Sequence, residues 1–431
     1  MGAHRLSSSI ETWSGARVLC AGDAMLDRFI YGNARRISPE APIPVLLVDH
    51  EETMLGGAGN VVRNLAALGA RVAFTTVTGD DAEAAAIEAL LAALPNCAAG
   101  VVRDARRRTS VKTRYLAHSQ QLLRVDTEQT DGVSEEVLAR LLAHFEAALA
   151  DTDMVVLSDY AKGVLSGDRA GRFIAACRAA GKPVLIDPKG SDFGRYRGAA
   201  MIKPNLKELG EATRMKVDDD ASVEAAARAL MADTGIAAVL ATRGPAGMML
   251  VRERAAATVF RSTAREVYDV SGAGDTVAAT VAAGVASGLD LADAVEIACV
   301  AAGIVVGKVG TATVTADELL RELENAGHEV RFFTETEALQ RARRWRTQGL
   351  RIGFASGGFL PLTPERVLRL AAAKEKCDRL IVGLARENFE TGGAVVLAAL
   401  ASVDLLVVSD AGFAHALRPD FEDALRPGFE E

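Results

Sequence analysis

The chain has 431 residues, of which 49% are apolar and 25% charged, with a formal net charge of −8. That length suits two or three domains, and the composition is that of a globular protein able to bury a large core. The acidic balance argues against nucleic acid or an anionic membrane as the main partner, but leaves room for a small anionic substrate at a locally basic site.

The opening stretch "MGAHRLSSSIETWSG" has no apolar core of a secretory signal, which predicts a cytoplasmic protein. "ARVLCAGDAMLDRF" (16–29) reads as a buried strand that ends in Gly-Asp. "PIPVLLVDHEETML" (42–55) alternates like one or two strands outside the main run. "GGAGNVVRNLAALGARVAFTTVTGDD" (56–81) reads as a glycine-rich turn, a helix, a short turn and a strand. "RRRTSVKTRYLAHSQQLLRVD" (106–126) reads as strand, turn and strand. The segments 28–55 and 101–126 together predict a small β layer that covers a cleft and offers a dimer contact. Further on, strands alternate with helices through "MVVLSDYAKG", "KPVLIDPKG", "AAMIKPNLKELGEAT" and "GIAAVLATRGPAGMMLV". Such alternation predicts a mostly parallel α/β sheet.

Nearly every polar cluster falls where a strand ends and a helix begins, the place where open α/β sheets bind ligands. One cleft is therefore expected to collect Asp23, Gly56–Asn60, Ser158–Lys162, Asp187–Lys189, Lys203–Glu208, Thr242–Gly244 and Gly272–Asp275. The apolar stretches 276–289 and 297–307 are rich in alanine and glycine, too short to cross a bilayer, and read as buried helices. The 5 cysteines stand singly and the 6 histidines do not cluster, so neither disulfides nor a transition-metal site is expected.

The segment "VYDVSGAGDTVAAT" (267–280) carries the chemistry. A helix start presents unpaired N–H groups and a partial positive charge, and residues with little or no side chain let an anion approach them. Gly272, Ala273 and Gly274 would form such a seat for a phosphoryl group, and Asp275 would take a proton from an attacking hydroxyl. The plain alternative is a glycine turn with a capping aspartate. Elsewhere each functional reading also has a plain counterpart. Asp23 could accept from vicinal hydroxyls or cap a helix. Asn205 and Glu208, at i and i+3, could hold hydrated Mg²⁺ or form a capping box. Lys112, Arg114 and Arg124 could meet a substrate phosphate or form a solvated charged face.

These segments together resemble the ribokinase-like sugar kinases, also called the phosphofructokinase-B family. "GGAGNVVRNLAALG" and "DVSGAGDT" match its two signatures, and the N-x-x-E motif lies between them, so the resemblance spans about 15–320. "GDAMLDRFIYGNARRISPEAPIPV", "LSDYAKG", "LIDPKGSDFGRYRGA" and "GKVGTATV" resemble the family's D-glycero-β-D-manno-heptose 7-phosphate kinases, which often precede an adenylyltransferase domain. The resemblance implies a three-layer α/β/α fold with a β lid, ATP and Mg²⁺ as requirements, and a sugar phosphate as acceptor. Asp275 matches the base, and Gly272–Gly274 the anion hole. Asp23, Gly57 and Asn60 match sugar positions, while Asn205, Glu208, Thr242, Arg243 and Gly244 match nucleotide positions. Lys112, Arg124 and Lys162 are assigned to the sugar's phosphate by charge and position. Ser271 stands where that subfamily usually has threonine. Many relatives also bind K⁺ through carbonyls near the positions of Asp269 and Gly310.

The expected organisation is a kinase domain at 1–324, a helical linker at 325–350, and a short α/β unit at 351–431. That last unit departs from the adenylyltransferase pattern: Thr363 and Arg366 stand where its H-x-G-H motif places histidines. It reads as a truncated, degenerate nucleotidyltransferase-like domain. Open alternatives are another sugar acceptor, a non-catalytic sugar-phosphate sensor or scaffold, and a working C-terminal nucleotidyltransferase.

Overall fold

The structure, a computed structural model, describes residues 6, 9–118, 120–262, 264, 267–308, 310–328, 332–333, 338–339, 342, 345–346, 349–356, 359, 361–385, 393–398, 400 and 402–409. The chain divides into two compact units, Ala3–Glu322 and Leu323–Glu431.

The first unit is built on a nine-stranded sheet. Its strands in chain order are β1 (Arg17–Gly22), β4 (Arg71–Thr78), β5 (Cys97–Arg103), β8 (Met154–Ser158), β9 (Val184–Asp187), β10 (Met201–Ile202), β11 (Ala238–Thr242), β12 (Met248–Arg252) and β13 (Thr258–Phe260). Their spatial order is β13-β12-β11-β10-β9-β8-β1-β4-β5. Strands β5 through β11 run parallel, and β12 turns back as an antiparallel hairpin. The middle strands read as apolar runs because helices cover both faces; every residue of β8 is buried. One covering helix, α3 (Glu135–Leu149), starts at Ser134, whose hydroxyl accepts from the Val137 N–H. It buries Val137, Leu138, Leu141, Phe145 and Leu149. Phe145 meets Phe173 edge to face, with ring centroids 4.9 Å apart.

Two helices come from the alanine-rich stretches, α7 (Ala273–Ala286) and α8 (Leu291–Val306), and α7 is buried from Asp275 through Gly284. A helix enclosed all round needs small apolar residues all round, which is why 276–289 lacks an amphipathic stripe.

The β layer is a separate four-stranded sheet, ordered β3-β2-β6-β7. Its strands are β2 (Ala24–Ile37), β3 (Pro44–Gly57), β6 (Val111–Ala117) and β7 (Gln120–Thr127). Segment 42–55 is thus one long strand, paired antiparallel to β2. Residues 101–103, expected in the flap, belong instead to β5 at the edge of the main sheet.

The second unit is a four-stranded parallel sheet, ordered β14-β17-β16-β15, made of β14 (Phe332–Phe333), β15 (Ile352–Ser356), β16 (Arg379–Ala385) and β17 (Leu405–Ser409). Phe359, Leu370, Leu384 and Leu397 lie in one of its core clusters and Ala338, Ile381 and Val407 in another. Strand β14 lies inside the expected helical linker, where an apolar Phe-Phe pair joins the sheet beside β17. The glycine pair at 357–358 and the polar tail beyond 409 lie outside the described residues.

Candidate active site

Asp275 lies in the first turn of α7 and is 5% exposed. Its Oδ1 accepts from the Tyr160 hydroxyl at 2.6 Å and its Oδ2 from the Asn60 amide at 2.7 Å. Burial raises its pKa, and the two hydrogen bonds and Lys203 oppose that rise. Gly272 caps the helix with φ of +81°, and a Cβ there would lie 2.8 Å from the Asn60 Nδ2. Only glycine meets both demands. At Gly274 a Cβ would lie 3.4 Å from the Lys203 Nζ, so a buried ammonium stands against the bare helix start.

Lys203 pairs with Asp187 at 2.9 Å. Burial pushes Asp187 up to about 6 although Lys203 opposes it. For Lys203, burial works against the charged form, but Asp187 outweighs it and the ammonium is held above its ordinary range. Asp275, Gly272, Ala273, Gly274, Lys203, Asp187 and Tyr160 all line one cavity of about 630 Å³. Asn205, Glu208, Thr242 and Gly244 line it too, and Met248, Val270, Cys299 and Val306 make an apolar wall.

Other expected site residues stand differently. Asp23 is 2% exposed, and its carboxylate accepts three backbone N–H groups, from Tyr160, Lys162 and Val164, each at 3.0 Å. Three of its acceptor sites thus shape the 160–164 loop. Gly57, with φ of +59°, sits where β3 meets helix α1 (Ala58–Ala67), and a Cβ there would lie 2.5 Å from the Asp23 carbonyl oxygen. Arg124 is half exposed and pairs with Asp126 at 2.9 Å, and Lys162 pairs with Glu128 at 2.8 Å. Arg114, at 2.5 Å from the buried Asp27, is also spent. A phosphate would have to draw Arg124 and Lys162 from these carboxylates. Lys112 differs: its Nζ stands 5.8 Å from the centroid of the Tyr160 ring, and burial lowers its pKa against the pull of Asp27.

Asn205 caps helix α5 (Leu206–Thr213) in a reciprocal box with Glu208: its Oδ1 accepts from the Glu208 N–H at 2.9 Å, and the Glu208 Oε2 accepts from the Asn205 N–H at 3.0 Å. The capping reading is thus realised. It leaves the Glu208 Oε1, 3.5 Å from the Lys189 Nζ, as the oxygen of this pair that can face a hydrated cation. No group of three or more His, Cys, Asp or Glu residues that could hold a metal occurs among the described residues. Arg243 turns its guanidinium to Asp220 at 2.6 Å, so its neighbours Thr242 and Gly244, not Arg243, line the cavity.

Residues 16–318 match the family described as pfkB family carbohydrate kinase. The chain belongs to this family. It is a sugar kinase with the ribokinase-like fold. The pfkB chain is 47% identical to the bifunctional protein HldE of Paramagnetospirillum magneticum over 419 residues, 94% of this chain and 86% of that protein. With the HldE of a Caulobacter species it shares 48% over 432 residues, 95% of this chain and 87% of the relative. Its fold is similar to that of Arabidopsis thaliana ribokinase complexed with ribose and ATP, with a TM-score of 0.56 and 20% identity over 72% of this chain and 99% of that one. It is also similar to Escherichia coli phosphofructokinase-2 in complex with substrates and products, with a TM-score of 0.59 and 19% identity over 72% of this chain and 99% of that one.

Sequence reasoning reached the pfkB signature residues but missed Tyr160 and Arg63. Tyr160 lay within a flagged strand-end cluster, yet nothing local ties its hydroxyl to an aspartate 115 positions away. Arg63 lies one helical turn from Asn60, and its Nη1 donates to the Asn60 Oδ1 at 3.2 Å. Among the described residues no helix is long and apolar enough to cross a membrane.

Proposed function

We propose that the protein transfers the γ-phosphoryl group of ATP to the C1 hydroxyl of D-glycero-β-D-manno-heptose 7-phosphate in the cytoplasm. The product would be the 1,7-bisphosphate, in the supply of ADP-heptose for lipopolysaccharide. One observation carries the transfer chemistry: a buried carboxylate, held by two donors, stands in the first turn of a helix whose start bears nothing larger than a methyl group and borders the cavity. The heptose assignment rests on "LSDYAKG", "LIDPKGSDFGRYRGA" and the likeness to HldE proteins.

In this reading Asp275 takes the C1 hydroxyl proton as the sugar oxygen bonds to phosphorus and the bond to the departing ADP oxygen breaks. General-base action of this kind contributes about 10²–10⁴-fold. The N–H groups from Gly272 to Gly274, with the Lys203 ammonium, would face the charge on the transferring oxygens. The apolar wall would take the adenine ring, with Thr242 and Gly244 beside it. Mg²⁺, bound mainly by the nucleotide, would neutralise triphosphate charge, and the Glu208 Oε1 would meet its hydration shell. K⁺, through carbonyls near Asp269 and Gly310, belongs to the same reading. Lys112, on the lid strand β6, is the cation that would meet the sugar phosphate.

The second unit is read as a truncated, degenerate nucleotidyltransferase-like domain without catalysis. Thr363 caps helix α10 (Pro364–Lys374), its side chain accepting from the Arg366 N–H. The protein is further read as a homodimer joined through the lid, whose Ile37, Ile43, Leu47, Val48 and Leu123 are all more than half exposed.

The test is incubation with MgATP and heptose 7-phosphate, with the product identified by mass and phosphorus NMR. One added phosphate at C1 and no nucleotide-sugar is expected. Asp275→Asn should abolish turnover and keep ATP binding. A fully active Asp275→Asn enzyme would overturn the base. ATP turnover on no sugar of a broad panel would favour the sensor reading.

A further inference from the structure

We infer that Tyr160 is a positioning residue for the base: its hydroxyl, opposite an Asn60 amide that Arg63 orients, holds the Asp275 carboxylate in one orientation and keeps it ready to accept a proton. The inference rests on Asp275 being the base.

The geometry is a frame with two arms. Each carboxylate oxygen receives one donor, Tyr160 on Oδ1 and Asn60 on Oδ2, at 2.6 and 2.7 Å. Rotation about the carboxylate would break both, while each oxygen keeps a second lone pair for the sugar hydroxyl. The Asn60 arm has a defined sense. An amide can face Asp275 with its NH₂ or with its oxygen, and only the first attracts a carboxylate. Arg63 decides between them, because its Nη1 donates to the Asn60 Oδ1 at 3.2 Å and so leaves the Nδ2 for Asp275. The same Nη1 donates to the Thr311 carbonyl at 3.2 Å, which anchors the guanidinium.

The Tyr160 arm is anchored as well. Its backbone N–H donates to the Asp23 Oδ2 at 3.0 Å, and its ring lies beneath Lys112. Burial, then nearby Asp275, pushes the phenol well above its ordinary range, so it donates and does not ionise. A carboxylate this buried favours its protonated form, and a protonated base takes no proton. The groups acting on Asp275 are Tyr160 beyond β8, Asn60 with Arg63 on α1, Lys203 beyond β10, Asp187 on β9, Asp27 on β2 and Cys20 on β1. Asp187 and Asp27 oppose ionisation, and Lys203 shares its charge with Asp187. The two neutral donors therefore hold the balance.

The experiment titrates the full chain labelled at aspartate Cγ. The Asp275 signal is the one missing from Asp275→Asn. In Tyr160→Phe its midpoint should rise by about one pH unit, the size expected for one hydrogen bond to a charged group. Arg63→Met should raise it too, and Arg63→Lys, which keeps a donor, should restore it. With heptose 7-phosphate, the acid limb of kcat/KM should move by the same amount, whereas a merely structural lesion lowers kcat/KM evenly at every pH. An unshifted midpoint in folded Tyr160→Phe overturns the inference; should that variant not fold, the Arg63 pair decides it. Active Asp275→Asn sinks the base reading, whereas inactive Asp275→Asn with an unshifted Tyr160→Phe sinks this inference alone.

Discussion

Substituting Gly272 by alanine puts the smallest side chain where the helix start is bare. Two costs follow from the geometry. At φ of +81° an L-residue is strained, by about 1 kcal/mol. The new Cβ would also lie 2.8 Å from the Asn60 Nδ2 and 3.5 Å from the Thr311 Cγ2. Asn60 has little freedom to yield, since Arg63 holds its oxygen and Asp275 its nitrogen. Relief therefore breaks the bond to Asp275, and a hydrogen bond to a charged group is worth about 1.5–3 kcal/mol. The strain is the same in the free enzyme and the transition state, so the lost bond alone sets the rate, about 1.5–3 kcal/mol or a fall of about 10–10²-fold in kcat/KM. Global stability should fall by about 2.5–4 kcal/mol, because the strain and the broken bond are both losses of the folded state. Coupled ADP detection gives the first number and denaturant unfolding the second. A Gly272→Ala enzyme within threefold of wild type would refute the reasoning.

Two further outcomes are expected. Asp187 is a carboxyl raised in the fold to about 6, so its contribution to stability is present below its ordinary value near 4 and is lost as pH rises through 6. Measured by unfolding against the double variant Asp187→Asn/Lys203→Met, wild type should lose up to about 3 kcal/mol between pH 4 and 7; a pH-independent difference would contradict the assigned cause. On the lid, Leu47 is 71% and Leu123 56% exposed. Replacing both by aspartate should weaken self-association by at least about 100-fold in sedimentation, given roughly 1.5–3 kcal/mol per buried leucine, and an unchanged dimer would place the interface elsewhere.

Much of this was legible in the residues. The strand-helix alternation announces the parallel sheet, and "SGAGDT" announces a bare helix start with an acid in its first turn. What stayed hidden was the use of each polar group, because burial and partner choice are long-range. Asp23 looked free at a strand end, yet three amides from 160–164 close on it. Arg124 pairs with Asp126, its i+2 neighbour on the same strand face, whereas Lys162 finds Glu128, a partner that no local pattern reveals. Asn205 and Glu208 carry a motif that serves both a cap and a ligand, and spacing alone does not separate the two uses. The β14 strand escaped because two phenylalanines in a charged stretch are too short a run to show a period.

Asp23 alone separates the central strand β1, which ends at Gly22, from the long strand β2, which begins at Ala24. Its carbonyl accepts the first N–H of α1 from Ala58, while its carboxylate gathers the loop that ends in Val164. One residue thus ties the main sheet, the β layer, helix α1 and the 160–164 loop together. A substitution there would loosen the start of α1 and, through the Tyr160 N–H that the same carboxylate holds, the placement of the phenol beside Asp275.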